Sequence, residues 1–519
     1  MFSLTKRDTN IIKGFAILGI VLHNYFHWLD PSPGQNEFDF SSAAIASFFD
    51  QIAQQPGEFL NIFFSYFGHF GVQLFIFVSG FGLAISMQRH PRSWESFVFT
   101  RLKKLYPLLL TGVVFFIFSR ILMEGRLPSD LEKTELGYKL LLIHTLIPDS
   151  GISLNGPWWF FGLIFQLYLL FPLLYRWIGK WGWKAFAGLC LCAYAMIFLF
   201  REALPVYHGT IVMMNAPGHL PEFCLGILLA TAPKPRIHWA WVVLSLAVFC
   251  LGNRFAIGYP FTFLAITVVA ILAYQGLKAL PFKKGWIGRP LAYFGGISMV
   301  LFAVHGLFRN PVLKLATTLE TPLGHLFSGL LFFLIAWAMA LAAKPLYEGM
   351  VSLLDRIKIR ESRFTRVLGK VFAVAFSLFF IYVAVHYVRL NLAVRDIQSK
   401  TPTALVTQGM VSPDDNYVSM ASVELSNSPC VIHVEGSFKL KSDEAVEDLP
   451  LLVVDVRDTY WNGMPLRKGS DGEWTQYAFS CDYYRPFFKD LNGKRLSVYL
   501  WNRHQTKMEF CDVELNMCY

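Results

Sequence analysis

Runs of apolar residues long enough to cross a bilayer recur along this chain, and nothing else constrains its fold as strongly. About 20 residues span the ~30 Å of hydrocarbon. Candidates fall near residues 11–29, 62–87, 105–123, 157–178, 184–200, 217–233, 238–252, 257–277, 291–309, 324–343 and 371–390, eleven in all, of which the sixth and seventh are short. Composition agrees: 16% of the 519 residues are charged and 54% are hydrophobic, where soluble domains carry about a quarter charged residues. The net charge of +10 does not point to nucleic acid, because Lys and Arg sit in short blocks between the apolar runs, where they set topology. The expected fold is an α-helical polytopic membrane protein, with about ten plus one transmembrane helices and a C-terminal all-β sandwich.

The connecting charges orient the chain. Residues 1–13 hold Lys6, Arg7 and Lys13, while the loop from Asp30 to Leu60 holds five acids (Asp30, Glu37, Asp39, Asp50, Glu58) and no Lys or Arg. Basic residues return at 88–104, at Lys180 and Lys184, at Lys234 and Arg236, from Lys278 to Arg289, and from Lys344 to Lys370. With all eleven spans counted, every basic block lies on the side of the N-terminus, so the positive-inside rule puts the N-terminus in the cytoplasm and the C-terminus outside. The first span lacks a small-residue cleavage site before Asp30 and is expected to be retained.

Cysteine usage is consistent with that orientation. Cys190, Cys192, Cys224 and Cys250 lie in apolar runs, as small buried hydrophobes do. Cys430, Cys481, Cys511 and Cys518 lie in the polar C-terminal region, where an oxidising compartment predicts two disulfides, with free thiols the alternative. The expected organisation is a ten-helix body at 1–343, a basic cytoplasmic loop at 344–370, an added span at 371–390 that carries the rest across, and a β-sandwich at 393–519. Segments such as "CVIHVEGSFKLK" and "RLSVYLWN", separated by "SDG" and "LNGK" turns, supply the strands.

Ionisable and polar groups inside spans are costly and mark function. His23 and His27 share a face near the outer end of the first span, and their i, i+4 spacing suits proton transfer. No third ligand stands at a spacing that suits a metal. Gln73 and Ser79 lie on the second apolar run, with Gly80 and Gly82 beside them for close helix packing. Arg101 and Lys104 stand one turn apart at a cytoplasmic boundary, where they can grip phosphates or simply set topology. Gln166, Tyr168, Glu222 and His305 follow in apolar surroundings, and together these residues predict a polar cavity within a helical bundle. A transporter of a lipid-linked glycan would also need such a cavity.

Taken in order, these stretches resemble membrane acyltransferase family 3. Its members carry a basic residue and a His on the first span, then G-V-D-L-F-F-V-L-S-G-F, R-x-x-R-I-Y-P, W-F-L-x-x-E-x-Q-x-Y-L-L-x-P-L and I-S-Y-S-L-Y-L-x-H. The counterparts here are Lys13 with His23, Gln73 to Phe81, Arg101 to Pro107, Trp159 to Leu173, and Ile297 to His305. The match runs through about 340 residues in consistent order. Nine residues separate Lys13 from His23 where the family has ten, so Asn24 occupies the usual His position. At 100° per residue, Asn24 lies about 20° from the azimuth of Lys13, His27 about 40° and His23 about 80°. Gln73 replaces the family's Asp, and Ile164 or Phe165 its Glu.

The resemblance implies O-acyl transfer, usually of acetyl, from cytoplasmic acyl-CoA to a hydroxyl of a surface polysaccharide or lipid-linked saccharide. It implies an integral protein of the bacterial cytoplasmic (inner) membrane, in contact with membrane lipids and needing neither a metal nor nucleic acid. On that reading His23 is the general base with His27 its partner or alternative. Lys13, Arg101 and Lys104 hold the CoA phosphates, and Asn24, Gln73, Ser79, Gln166, Tyr168, Glu222 and His305 line the cavity. The C-terminal region more loosely resembles jelly-roll carbohydrate-binding modules. There Trp461, Trp474 and Trp501 are candidates for stacking on sugar rings, with core packing the alternative.

Overall fold

Thr5 opens the first helix. Its hydroxyl accepts from the Asp8 N–H at 3.2 Å, and the Asp8 carboxylate accepts from the Thr5 N–H at 2.8 Å, a capping box that fixes the start of α1 (Lys6–Phe26). Asp8 is fully buried and also accepts from the Tyr274 hydroxyl at 2.6 Å, so this end is tied to a distant helix. The computed structural model describes residues 3–356 apart from 33, 39, 148–149, 204–211, 233–238, 279–284 and 320, part of 367–389, and 408–519 apart from 413–415, 426–427, 430, 443–450, 458–459, 467–473, 486–489 and 503–506. It forms two compact units, Met1–Val374 and Ala375–Tyr519.

After α1 the first unit continues through α2 (Ser42–Gln54), α3 (Phe59–Phe67), α4 (Gly71–Arg89), α5 (Trp94–Glu124), α6 (Asp130–Leu140) and α7 (Trp159–Trp181). Then come α8 (Trp183–Ala203), α9 (Ala216–Thr231), α10 (Ala240–Arg254), α11 (Tyr259–Leu277), α12 (Gly288–Val304), α13 (Arg309–Ala316) and α14 (Pro322–Asp355). Among the described residues, Pro56–Arg89, Trp94–Glu124, Gly156–Trp181, Ala256–Leu277 and Pro322–Asp355 are long and apolar enough to cross a bilayer. A sixth results if α12 and α13, bent by 89° at their junction, count as one. The eleven-span expectation is therefore met only in part. Lys6, Arg7, Asp8 and Lys13 lower the apolarity of α1, and α9 and α10 have 16 and 15 residues, roughly 24 and 22 Å long.

The helices are sorted by close contacts at small residues. Where α1 crosses α12, a Cβ on Gly14 would lie 1.8 Å from the Leu291 carbonyl oxygen, and one on Gly295 1.8 Å from that of Asn10. Only glycine permits such an approach. This reciprocal contact, with Asn24 against His305 further along, makes α1 and α12 parallel. α4 and α9 are also parallel, with Gly80 on Phe223 and the Gln88 amide donating to the Ala230 carbonyl at 3.1 Å. Gly82, expected to pack in the same way, faces open space. Outward, α14 shows Leu326, Phe327, Leu330, Leu334 and Leu341, a continuous apolar face suited to lipid. Its last turns run without a break past Pro345 to Asp355, so the loop expected from 344 starts later.

The second unit holds β1 (Gln408–Val411), β2 (Tyr417–Glu424), β3 (Val431–Ser442), β4 (Leu451–Val456), β5 (Tyr460–Pro465), β6 (Thr475–Tyr484), β7 (Arg495–Trp501) and β8 (Met508–Cys518). They pair antiparallel in two four-stranded sheets, β1-β8-β3-β6 and β2-β7-β4-β5, the strand order of a jelly roll. Alternate residues of β7, Leu496, Val498 and Leu500, are fully buried between the sheets.

The expected disulfide pair is corrected here. Among the described residues no disulfide joins Cys481, Cys511 and Cys518, and Cys430 lies outside the described residues. Any scheme of two bridges must join two of these three. Cys481 is on β6 and the others on β8, with β3 between them. Two strand spacings put about 9.6 Å between such Cα atoms, beyond the ~7 Å that a disulfide spans. Cys511 and Cys518 lie along one extended strand and are further apart still.

Candidate active site

Three elements converge on the C-terminal half of α1: the end of α3, the 3-10 turn Gly68–Phe70, and the break between α12 and α13. The turn sits close enough that a Cβ on Gly68 would meet the His23 side chain at 2.7 Å. His23 is 6% exposed, and its Nδ1 lies 3.0 Å from the Ser65 carbonyl and 3.3 Å from that of Phe64. A carbonyl only accepts, so Nδ1 carries the hydrogen and Nε2 keeps the lone pair. His27 is half-buried one turn on, its ring centroid 4.9 Å from that of His23.

Asn24 faces away from this pair toward α12. Its amide donates to the Ile20 carbonyl at 3.0 Å and to His305 Nε2 at 3.2 Å, while His305 Nδ1 donates to the Phe302 carbonyl at 3.0 Å. Arg309, just past the break, donates to the Asn24 carbonyl at 3.4 Å and covers the Trp28 ring at 4.6 Å. The position where the family has a His thus binds a second histidine by hydrogen bonding, and an amide cannot replace imidazole as a base.

The remaining candidates divide into four groups. Gln166 is fully engaged: it donates to Thr145 Oγ at 3.2 Å and to Asn215, and accepts from the Ala216 N–H at 2.9 Å, which secures the start of α9. Gln73 and Glu222 are fully buried, and none of their side-chain N or O atoms has a hydrogen-bond partner among the described residues. Arg101 lies over Phe97 at 5.2 Å and donates to Ser86 Oγ at 3.4 Å, with Tyr168 edge-on to the same Phe97. Lys104 is exposed, whereas Lys13 and Ser79 are half-buried. Among the described residues no hydrogen bond or ion pair joins Lys13 to Arg101 or Lys104.

Two cavities flank α1. An open cleft of about 530 Å³ is lined by Lys6, Arg7, Asn10, Arg289, Ala292 and Tyr293, at the starts of α1 and α12. His23 stands thirteen positions after Asn10, roughly 20 Å of helix. An apolar cavity of about 430 Å³ runs beside α1 between Ile11 and Gly19, bounded by Phe63, Phe67, Leu74 and Ile271.

The profile of the acyltransferase-domain family matches residues 7–343. The chain belongs to this acyltransferase family. Acyltransferase MdmB of Streptomyces mycarofaciens is 28% identical to it over 297 residues, which cover 51% of this chain and 75% of MdmB. No solved structure matches.

Several groups in the candidate site escaped sequence reasoning. His69 lies 5.4 Å from His23 by ring centroids, and its Nδ1 is 3.8 Å from Glu37 Oε2. His219 Nε2 donates to the Met213 carbonyl at 2.7 Å, and its Nδ1 stands 3.7 Å from Glu222. A signal existed for His69, which stands four residues, about one helical turn, before Gln73 in "GHFGVQ", inside the second apolar run. Nothing local marks Glu37, which reaches the site across 32 residues.

Proposed function

We propose that this acyltransferase moves an acyl group, acetyl foremost, from cytoplasmic acyl-CoA to a hydroxyl of an extracytoplasmic or lipid-linked glycan, with His23 as general base. The observation that carries this reading is the His23 tautomer: a buried imidazole, held through Nδ1–H, leaves Nε2 to take the acceptor proton. His27 stands beside it as partner. The basic cleft at the α1 and α12 starts receives the CoA phosphates, with Lys13, Arg101 and Lys104 supplementing the charge. The parallel runs of α1 with α12 and of α4 with α9 support an alternating eleven-span topology, because each pair joins spans of the same parity. The N-terminus is then cytoplasmic and the jelly roll lies outside the bacterial inner membrane.

Purified protein in lipid, given radiolabelled acetyl-CoA and a panel of surface glycans, is expected to label a glycan. Absence of both transfer and hydrolysis, with glycan flux intact in vesicles, overturns the reading. Arg289→Ala is expected to raise KM for acyl-CoA roughly 10-fold with little change in kcat, as loss of one charge-assisted hydrogen bond does.

The jelly roll carries a strip of rings across the sheet β2-β7-β4-β5. Trp461, 53% exposed, lies over Gly463 and meets Trp501 edge-on at 6.2 Å, while Trp501 stacks on Tyr417 at 6.1 Å. Trp474 is also exposed. We assign the strip to the flat faces of sugar rings. Trp461→Ala is expected to weaken glycan retention about 3- to 10-fold in a pull-down, with transfer to a short soluble acceptor unchanged.

A further inference from the structure

Buried acid–base groups are expensive in a membrane protein and persist where they act. The outer half of this helical unit holds a series of them. His69 on the 3-10 turn is 1% exposed, with neither ring nitrogen hydrogen-bonded among the described residues. On one side of it lies His23, and on the other its Nδ1 points at Glu37. Glu37 belongs to the loop between α1 and α2, outside the spans, yet it is 6% exposed. That loop is held inward by Phe38 against Trp159 and by the Tyr259 hydroxyl, which donates to the Asn36 carbonyl. Facing Glu37 are His69 and His219; behind His69 stand His23 and His27, and behind His219 stands Glu222.

We propose that His69 and Glu37 relay the acceptor's proton away from His23, and are positioning residues for the transfer described above. The inference rests on that reading of His23. The acceptor O–H bond breaks as the ester C–O bond forms and the acyl carbon parts from its leaving group. The proton passes to His23 Nε2. His69 then takes it on the nitrogen facing His23 and releases the Nδ1 proton to the Glu37 carboxylate, which returns it to water at the outer loop. The leaving thiolate takes its proton from water at its own end. Burial pushes the Glu37 carboxyl up to about 7, against the opposing pull of its own backbone amide and of His219. The relay needs the carboxylate form, so kcat falls as pH drops through about 7.

The test is the kinetics of full-length Glu37→Gln, Glu37→Asp and His69→Gln in lipid nanodiscs, with acetyl-CoA and the glycan that the wild type labels, across about pH 5.5–8.5. Glu37→Gln and His69→Gln are expected to lower kcat about 10- to 100-fold at unchanged KM, and Glu37→Gln to abolish the decline below about pH 7. Glu37→Asp is expected to keep that decline and most of the rate. Wild-type kcat and profile in Glu37→Gln overturn the relay. So does a loss confined to KM or to folded yield with the profile intact, which marks a structural role. If Glu37→Gln does not fold, Glu37→Asp and His69→Gln carry the same comparison. A wild type that transfers no label refutes the acyl-transfer reading instead, whereas an active wild type with inactive His23→Ala and unaffected Glu37→Gln refutes the relay alone.

Discussion

His23→Ala is expected to lower the rate constant for acyl transfer about 10²- to 10⁴-fold while leaving KM for acyl-CoA within about twofold, the signature of a lost general base. The structure separates His23 from its neighbours as the group to test. Its Nδ1–H is fixed on the Ser65 carbonyl and its ring is buried. His27 is half-buried with no hydrogen bond at Nδ1 among the described residues, and His305 Nε2 already accepts from Asn24. His27→Ala should therefore be the milder variant, with a loss of about 10-fold or less. Single-turnover label transfer measures both, and the reverse ordering would move the base to His27. Asn24→His is the complementary variant. It restores the family's spacing, but it also removes the donor to His305, so it is expected to leave His23 indispensable.

What the sequence made legible was governed by local pattern. Apolar runs at helical length marked α5, α7, α11 and α14, and period-two alternation marked β7. The histidines on α1 stood out because an oily helix seldom carries them. Legibility failed where contact is distant or where charge was assumed to mean exposure. Glu37 and Glu58 counted as outward-facing topology charges, yet both are buried against histidines, Glu37 at His69 and Glu58 at His325, whose Nδ1 lies 2.7 Å away. Gln166 looked like a cavity group, but it satisfies the first amide of α9. The proposed donor site shows the same limit. Arg101 and Lys104 were conspicuous as a pair one turn apart, whereas Arg289 joins Lys6 and Arg7 only because α1 and α12 start side by side. Four cysteines in the polar C-terminal region suggested two bridges by count alone; strand order decided against that pair.

The contact that sets those two helix starts together gives the other large expected effect. Gly14→Val or Gly295→Val should leave no folded enzyme: a Cβ alone at either site would lie 1.8 Å from a backbone carbonyl, where real contacts stay beyond 3.0 Å, and valine adds two methyls to that clash. The helices would have to part by more than an ångström, at a cost above about 4 kcal/mol, the range reserved for core overpacking and broken networks. Gly82→Ala is the control on α4: nothing lies within 4 Å of its added Cβ, and alanine favours a helix by roughly 0.5–1 kcal/mol. Thermal melts in detergent should thus show Gly82→Ala unchanged or more stable while the other two yield no cooperative transition. The gentler Gly295→Ala carries the functional consequence. α1 and α12 jointly build the basic cleft at one end and the Asn24–His305 bond at the other, about 20 Å apart along the helix. Where enough Gly295→Ala folds to assay, separating the helices is expected to raise KM for acyl-CoA and lower kcat together. A change in only one of the two would show that the helix pair does not couple the ends.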